Sequence, residues 1–448
     1  MNPSSFKAAL SALVRGRDSD TLDQRNARNL ILSSAWLGFI DGGIATYLSV
    51  WMARMGATPT TLGILSSGPQ LVNMFAQLPA GAFAERQKDL VRLANLSALI
   101  TRSGFVLMAL LPFLFKAPDI LWVAIALWTL ITIPSSIYYP TFMSIIQRAV
   151  PPQMRPRVNA NRWAIYSLVG AIAIPLIGFM IDHLTFPVGF QLAFVISCVG
   201  ALPNIYFFSK VKIAPFVAVR THADTPRSPL RRLREFVTPF FECKKFVRFN
   251  LATAAFRVCL TMPAGLFSIY WVDNLHASNT IIGLRGMIAY AALVVGYPFW
   301  GRVTSRIGHR TLLFFSALIG LYPIMTGLSP TADWLLPTAV LWGVFVAAID
   351  IGFVDMLLIS CPQGKHPTFT AAANVLASMQ NFAGPLIGAA LAHFIGVAEA
   401  LIVAGVLQIA SGAFFILLPS RAQEDADHAK TQPVQPSEAP AGAPDRAG

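Results

Sequence analysis

Long apolar stretches separated by short polar segments recur along almost the whole chain. A helix needs about 20 apolar residues to cross the hydrocarbon core of a bilayer. Twelve stretches meet this requirement, so the pattern predicts an all-α membrane protein with twelve transmembrane helices. The predicted spans are residues 30–52, 61–83, 90–115, 120–147, 163–181, 187–208, 249–272, 281–300, 311–329, 334–360, 367–395 and 397–419.

The composition of the 448-residue chain agrees with this pattern, because 55% of its residues are hydrophobic and only 12% are charged. An ordinary soluble domain has about 25% charged residues. The shortage of charge excludes a soluble enzyme, a nucleic-acid-binding module and a disordered scaffold. The sequence has no nucleotide-binding loop, no metal-ligand spacing and no nucleophile elbow. We therefore expect no enzymatic activity, no cofactor and no metal.

The net charge of +13 is distributed unevenly along the chain. Of the 34 Lys and Arg residues, 29 lie in the N-terminal segment, the even-numbered loops with their flanks, and the C-terminal tail. Cytoplasmic loops of membrane proteins are the basic ones. We therefore predict a multi-pass protein of the cell's inner (plasma) membrane with both termini in the cytoplasm. The basic excess then reflects topology, and we expect no nucleic-acid partner.

Two parts of the chain share a sequence pattern. At an offset of 220 residues, tryptophans, glycines and arginines coincide: Trp51 with Trp271, Gly63 with Gly283, Gly81 with Gly301, and Arg86 with Arg306. At an offset of 210, the run Pro175-Leu176-Ile177-Gly178 coincides with Pro385-Leu386-Ile387-Gly388. Many transporters are built from duplicated halves, so the repeat predicts two pseudo-symmetric six-helix bundles.

The predicted spans divide the chain into five segments. They are a cytoplasmic N-terminal segment at 1–28, an N-terminal bundle at 29–210, a basic cytoplasmic linker at 211–247, a C-terminal bundle at 248–420 and a disordered cytoplasmic tail at 421–448. In the linker, Leu230, Leu233 and Val237 share one helical face, which can lie on the inner leaflet. The alternative is a solvated linker that only follows the charge rule for loops.

Two short loops carry related motifs at matching places in the two halves. The first contains Gly81, Glu85 and Arg86. The second contains Gly301, Ser305, Arg306, Gly308 and Arg310. A glycine allows two helix ends to approach closely, and a carboxylate beside an arginine can bind a neighbouring helix end.

This loop motif, together with twelve spans, two repeated halves and a basic central connection, resembles the major facilitator superfamily over about residues 29–420. The chain departs from the family pattern, because Glu85 replaces an aspartate and Ser305 replaces the acidic residue of the second copy. The resemblance implies two halves that rock around a central site. It also implies that the first, fourth, seventh and tenth helices line a cavity, and that the two loops act as gates.

Charged residues inside the predicted spans are the strongest candidates for a site. A charge at the centre of a spanning helix costs about 2.5–3.5 kcal/mol, so each needs a partner or a function. Asp41 and Asp350 are candidate proton or substrate carboxylates, and Arg257 is a candidate anion-binding or charge-balancing group. Arg102 is either a pathway residue or the structural partner of an acid. For each of the four, a structural ion pair is the alternative.

Several aromatic residues, and one arginine near the end of a span, also have predicted places. Tyr138 and Tyr139 lie deep in the fourth span and are further candidates for the substrate and proton pathway. Arg285, near one end of the eighth span, is expected to extend to the membrane surface. Trp51 and Trp271 are expected to belong to the interfacial belt of aromatic residues.

The sequence and the resemblance together predict a monomeric secondary active transporter. It is expected to move a small organic solute by alternating access, coupled to protons, with the lipid bilayer as its other partner. One alternative is a facilitated uniporter on the same fold. Another is a non-transporting membrane protein that serves pigment or lipid handling, assembly or sensing.

Overall fold

The computed structural model describes residues 21–85, 87–116, 118–213, 240–361 and 366–419, which are almost entirely helical and contain no strand. Eleven helices are long and apolar enough to cross a membrane. The remaining helix, α2, has 27 residues and is therefore about 40 Å long. The prediction of an all-α membrane protein with twelve helices is confirmed. The helices are α1 (Leu22–Arg54), α2 (Pro59–Glu85), α3 (Leu90–Leu114), α4 (Asp119–Ala149), α5 (Arg155–His183), α6 (Val188–Ser209), α7 (Lys244–Asn274), α8 (Asn279–Ile307), α9 (His309–Gly327), α10 (Ala332–Ser360), α11 (His366–Ile395) and α12 (Val397–Leu417).

The helices form two groups of six. In the N-terminal half, α1 packs against α5 and α6, and α3 packs against α4 and α6. In the C-terminal half, α7 packs against α11 and α12, and α8 and α9 pack against α10. The segments 1–20, 214–239 and 420–448 lie outside the described residues, and they include most of the predicted linker and tail.

The residues of the sequence repeat form the two main contacts between the halves. Helix α2 packs on α11, and α5 packs on α8. A Cβ atom at Gly63 would lie 2.9 Å from the carbonyl oxygen of Pro385, and one at Gly283 would lie 2.7 Å from Cα of Pro175. These distances are too short for any side chain, so only glycine permits these helix pairs to approach so closely. The duplicated sequence therefore makes a duplicated contact.

Among the helices that border the centre of the molecule, α4 and α7 are interrupted close to a proline. Helix α4 is broken at Ile131, and α7 is broken after Thr261 and ends in a π-helical turn at Tyr270–Asn274. Pro134 and Pro263 follow these breaks closely. A proline has no N–H group to bond the carbonyl four residues earlier, which explains why neither helix is continuous.

A close helix contact inside the C-terminal half gives a test of the packing. A Cβ atom at Gly388 would overlap the carbonyl oxygen of Met262, whereas one at Gly301 would meet nothing within 4 Å. We expect Gly388→Ala to lower the free energy of unfolding by about 1–3 kcal/mol through overpacking. Gly301→Ala, the matched control, should be neutral or stabilising. The apparent melting temperature of the purified protein checks this, and equal values for the two variants would contradict the packing.

Candidate functional site

A cavity of about 790 Å³ lies between the two halves. Helices α1, α3, α4 and α5 line it from the N-terminal half, and α7, α8, α9 and α10 line it from the C-terminal half. The family resemblance implied α1, α4, α7 and α10, so the structure adds four helices to the lining. Its volume falls in the range of about 300–1,000 Å³ that is typical of sites for small organic ligands.

Asp41 lies near the middle of α1 and lines this cavity. Its Oδ2 atom accepts a 2.9 Å hydrogen bond from the Tyr166 hydroxyl of α5. The Tyr166 oxygen is 3.4 Å from the hydroxyl oxygen of Tyr290 on α8, so this polar cluster includes side chains of both halves. A Cβ atom at Gly38 would overlap the Tyr166 carbonyl oxygen. The glycine therefore allows α1 and α5 to approach closely enough for Tyr166 to reach Asp41.

Arg102 of α3 also lines the cavity, although only 5% of its side chain is exposed. Its Nη1 atom has no hydrogen-bond partner. It interacts with Asp41 electrostatically, but in the described structure the two do not form an ion pair. A guanidinium keeps its charge at any accessible pH. Arg102 is therefore a buried cation with one hydrogen-bond donor that has no acceptor.

Arg285 of α8 lies among three aromatic rings of the cavity wall. Its Cζ atom is 5.0 Å from the ring centroid of Trp271, 5.2 Å from that of Tyr322 and 5.5 Å from that of Trp342. The guanidinium donates a hydrogen bond to the Tyr322 hydroxyl, and its Nε atom has no partner. The expectation that Arg285 extends to the membrane surface is wrong, because the faces of these rings attract the guanidinium inside the protein.

The two repeat-related tryptophans are also buried. Trp51 is 1% exposed and Trp271 is 8% exposed. Trp51 contacts Phe194 edge-on, with ring centroids 5.7 Å apart, and Trp271 lines the cavity beside Arg285. The expectation that both belong to the interfacial belt is wrong. Both lie where the two halves meet, in one cluster of buried apolar side chains.

The two tyrosines predicted from the fourth span differ in their positions. Tyr138 lines the cavity, whereas the side chain of Tyr139 is 60% exposed and does not line it. The structure thus brings Asp41, Arg102 and Tyr138 to one cavity. Their roles there, and that of Tyr139, stay predictions.

Two further predicted residues lie elsewhere in the C-terminal half. The guanidinium of Arg257 lies over the ring of Phe353, with Cζ 4.3 Å from the centroid. Asp350 is exposed, and its Oδ2 atom accepts a 2.7 Å hydrogen bond from the Tyr297 hydroxyl. Neither Arg257 nor Asp350 is among the described residues that line the cavity. A pathway role for them stays a prediction.

The first of the two loop motifs is only partly described. Gly81 and Glu85 belong to the last turns of α2, but their side-chain environments lie outside the described residues, as does the whole of Arg86. The gating role of these three residues stays a prediction.

The second loop motif joins α8 to α9. Gly308 ends α8 with a φ of 80°, a left-handed conformation that favours glycine. Ser305, which occupies the acidic position of the family pattern, donates a 2.7 Å hydrogen bond to the Arg302 carbonyl oxygen. Arg306 and Arg310 lie on either side of Gly308, in α8 and α9 respectively. A gating role for Gly301, Ser305, Arg306, Gly308 and Arg310 stays a prediction.

The halves make polar contacts at one end of the molecule, where α1 finishes and α8 begins. We call it the sealed end. Ser268 Oγ donates a 2.8 Å hydrogen bond to Ser49 Oγ. Arg54 Nη2 donates a 2.7 Å hydrogen bond to the carbonyl oxygen of Ala277. Each of these bonds joins the two halves, so separating the halves here would break them.

At the opposite end of the molecule, each half has its own cluster of buried apolar side chains. One cluster includes Leu30 and Ile145 of the N-terminal half. Another includes Phe246 and Phe369 of the C-terminal half. Among the described residues, the buried cluster shared by both halves contains Trp51 and its neighbours at the sealed end. The apolar packing between the halves is therefore concentrated on one side of the cavity.

Asp182, at the end of α5, makes the most extensive polar contact of the sealed end. Its Oδ1 atom accepts from the backbone N–H of Asn279 at 2.9 Å and from its side-chain Nδ2 at 2.7 Å. Its Oδ2 atom accepts from the backbone N–H of Thr280 at 2.7 Å and from its hydroxyl at 2.6 Å. A carboxylate of one half thus binds the N-terminus of α8 in the other half, where unpaired N–H groups and the helix dipole attract an anion.

Sequence reasoning missed several of these residues. It gave no role to Tyr166, Tyr290 or Asp182, and it placed Arg285 at the membrane surface. One available signal was the acidic residue at the end of the fifth span, next to a loop that contains no lysine or arginine to pair with it. For the tyrosines, neither spacing nor charge provides a signal.

Two pseudo-symmetric six-helix halves around a central cavity define a class of membrane transport protein. The sequence profile of the Major Facilitator Superfamily matches residues 30–269 and 249–443. The chain therefore belongs to this superfamily, and the resemblance found in its sequence is confirmed.

Comparison with individual proteins agrees with this family. The Staphyloferrin B transporter of Staphylococcus aureus (strain NCTC 8325 / PS 47) is 22% identical over 261 residues, which are 56% of this chain and 57% of that protein. The chain thus aligns with little more than half the length of this relative.

Solved structures share the fold at low sequence identity. A POT family transporter in complex with 5-aminolevulinic acid has a TM-score of 0.67 and 14% identity, covering 88% of this chain and 95% of its own. The nucleoside transporter NupG has a TM-score of 0.64 and 13% identity, covering 88% and 100%. A bacterial homologue of the human lysosomal transporter Spinster, inward-facing and unoccupied, has a TM-score of 0.65 and 15% identity, covering 89% and 97%.

Proposed function

We propose that the protein is a secondary transporter that moves a small organic solute across the cytoplasmic membrane by alternating access. The observation that carries this proposal is the central cavity, which both halves line and which contains Asp41 at the middle of α1. Substrate and coupling-ion sites of secondary transporters lie near the bilayer midplane, between the repeated halves. Because both halves line the cavity, a movement of one half against the other can open it to one side of the membrane and then to the other.

The distribution of basic residues supports an orientation with both termini in the cytoplasm. In this orientation the sealed end faces the outside, so the proposal assigns the described state access to the cavity from the cytoplasm. The other main state of the cycle requires the contacts of Ser49, Arg54 and Asp182 with the C-terminal half to break. The proposal therefore assigns the sealed end the role of an outer gate.

We also propose that Asp41 couples transport to protons. The polar groups that face it are Tyr166 of α5, Tyr290 of α8, Arg102 of α3 and Tyr138 of α4. An ionised Asp41 balances the charge of Arg102 across the cavity. Protonation removes that balance, so the two protonation states favour different arrangements of the surrounding helices.

The substitution Asp41→Asn tests the coupling. It cannot bind or release a proton at this position, so we expect it to abolish proton movement driven by a solute gradient. Proteoliposomes that contain a pH-sensitive dye measure this movement, with a solute first identified by thermal-shift screening. Asp355→Asn is the control, because Asp355 pairs with His309 at 3.4 Å and does not line the cavity. Flux that persists unchanged in Asp41→Asn and after collapse of the proton gradient would overturn the coupling and favour facilitated uniport.

A further inference from the structure

Three buried hydrogen-bond donors of the cavity wall have no partner. They are Nη1 of Arg102, Nε of Arg285 and Nε1 of Trp271. A buried donor without an acceptor costs free energy, and two of these three belong to permanently charged groups. Among the described residues that line the cavity, no side-chain acceptor is left unsatisfied in the same way. A ligand of this site would therefore have to supply hydrogen-bond acceptors.

The charges of the cavity wall point in the same direction. Arg102 and Arg285 are its cations, and Asp41 is its acid, among the described residues that line it. When Asp41 is ionised the wall has an excess of one positive charge, and when Asp41 is protonated the excess is two. An uncompensated charge is expensive inside a membrane protein. A ligand with two negative charges would balance the wall in the protonated state.

The surroundings of the two arginines also constrain the ligand. Three ring faces surround the guanidinium of Arg285, and Tyr322 takes the N–H of Nη2, which leaves the edge that carries Nη1 for a planar acidic group. Phe267 stacks against Trp271, with centroids 5.8 Å apart and an interplanar angle of 22°. Phe105 and Trp128 add apolar surface beside Arg102. These rings suit an organic body rather than a small inorganic ion.

We infer that the cavity binds an organic anion with two acidic groups, one at Arg102 and one at Arg285. The inference rests on the proposed transport function and names its substrate class. Arg102 belongs to the N-terminal half and Arg285 to the C-terminal half, so such an anion contacts both halves at once. Bound ligand then favours the arrangement of the halves in which both arginines reach it. Trp271 Nε1 supplies a further donor to the acidic group at Arg285.

A binding experiment with matched probes tests this inference. The probes are dicarboxylates of increasing size, namely succinate, citrate and 2,6-naphthalenedicarboxylate, and the uncharged amide of each. We expect at least one carboxylate, and none of the amides, to raise the melting temperature of the purified full-length protein. Arg102→Gln and Arg285→Gln should each weaken this binding roughly ten- to hundredfold, because each loses a charge-assisted hydrogen bond.

The control is Arg162→Gln, which removes a buried arginine that lies over the ring of Phe142, with Cζ 4.3 Å from the centroid, and that does not line the cavity. It should leave the dissociation constant unchanged. If Arg285→Gln unfolds, Arg285→Lys and Trp271→Phe test the same end of the site. The lysine retains charge without the planar fork, and the phenylalanine retains a ring without the N–H donor, so both should weaken binding. Arg257, the other arginine predicted to bind an anion, is replaced in parallel: binding that is lost in Arg257→Gln but kept in Arg102→Gln and Arg285→Gln overturns the assignment.

Flux into reconstituted vesicles, measured in parallel, separates this inference from the proposed function. No stabilisation by any dicarboxylate, or equal stabilisation by the amides, overturns the anion site. Flux of a neutral or cationic solute that is unaffected by Arg102→Gln and Arg285→Gln also overturns it, while transport itself stands. Arginine-dependent binding of a dicarboxylate without flux supports the anion site and counts against transport.

Discussion

A disulfide across the sealed end is expected to prevent access to the cavity from that side. Ser49 and Ser268 lie on opposite halves with their Oγ atoms 2.8 Å apart. Cysteines at such a pair of positions can approach the short Cβ–Cβ distance that a disulfide needs, about 3.5–4.5 Å. Oxidation of Ser49→Cys/Ser268→Cys should therefore join α1 to α7 covalently, and alternating access cannot proceed while the bond holds.

A cysteine reporter measures the effect without knowledge of the substrate. Ala45 is exposed and lines the cavity, so Ala45→Cys reports which side of the membrane reaches it. The background lacks the native cysteines, Cys198, Cys243, Cys259 and Cys361. After oxidation, labelling by a membrane-impermeant maleimide added outside should fall to background and recover with a reductant. Labelling from the cytoplasmic side should persist.

The single variants Ser49→Cys and Ser268→Cys, each combined with Ala45→Cys, are the controls. Neither can form the cross-link, so oxidation should leave their outside labelling unchanged. Outside labelling that continues at its original rate in the cross-linked protein would contradict the outer gate. It would show that the cavity opens to that side by another route.

The sequence predicted the fold well because a bilayer imposes a simple requirement on it. Each spanning helix needs a long apolar stretch, which can be recognised without knowledge of its neighbours. The sequence repeat also marked residues of the interface between the halves, because Gly63 contacts Pro385 and Gly283 contacts Pro175. The sequence did not indicate that these residues meet each other, because an offset within a chain carries no information about packing between helices.

The site was only partly predictable, for a related reason. The cost of a membrane charge identified Asp41 and Arg102, and both line the cavity. Arg285 was assigned to the surface from its place near one end of a span. The attraction of Trp271, Tyr322 and Trp342 for its guanidinium comes from three different helices and has no signature in the local sequence.

Pseudo-symmetry relates the charged positions of one half to particular positions of the other half. The offset of 220 residues relates Arg102 of α3 to Tyr322 of α9, and Tyr322 accepts the hydrogen bond from Arg285. The same offset relates Arg257 to Leu37. Leu37 lines the cavity, whereas Arg257 packs on Phe353. Equivalent positions therefore have related places in the two halves, but the side chain decides which neighbours it contacts.

Removal of the Asp182 carboxylate is expected to open the sealed end. Four donors of Asn279 and Thr280 converge on this one group. Each hydrogen bond to a charged partner contributes about 1.5–3 kcal/mol, and a charge at a helix N-terminus contributes up to about 2 kcal/mol. These bonds exist only while α5 and α8 touch, so their loss disfavours the closed arrangement relative to the open one.

We therefore expect Asp182→Ala to raise the outside labelling rate of Ala45→Cys by roughly tenfold or more, since about 1.4 kcal/mol corresponds to a factor of ten. Asp182→Asn should have an intermediate effect, because it keeps an acceptor and loses the charge. Asp119→Ala is the matched control: Asp119 lies in the first turn of α4, within the N-terminal half. The hydrogen bonds to α8 are the basis of the gating role proposed for Asp182. If Asp182→Ala changes neither the melting temperature nor the labelling rate, this carboxylate does not hold the outer gate closed.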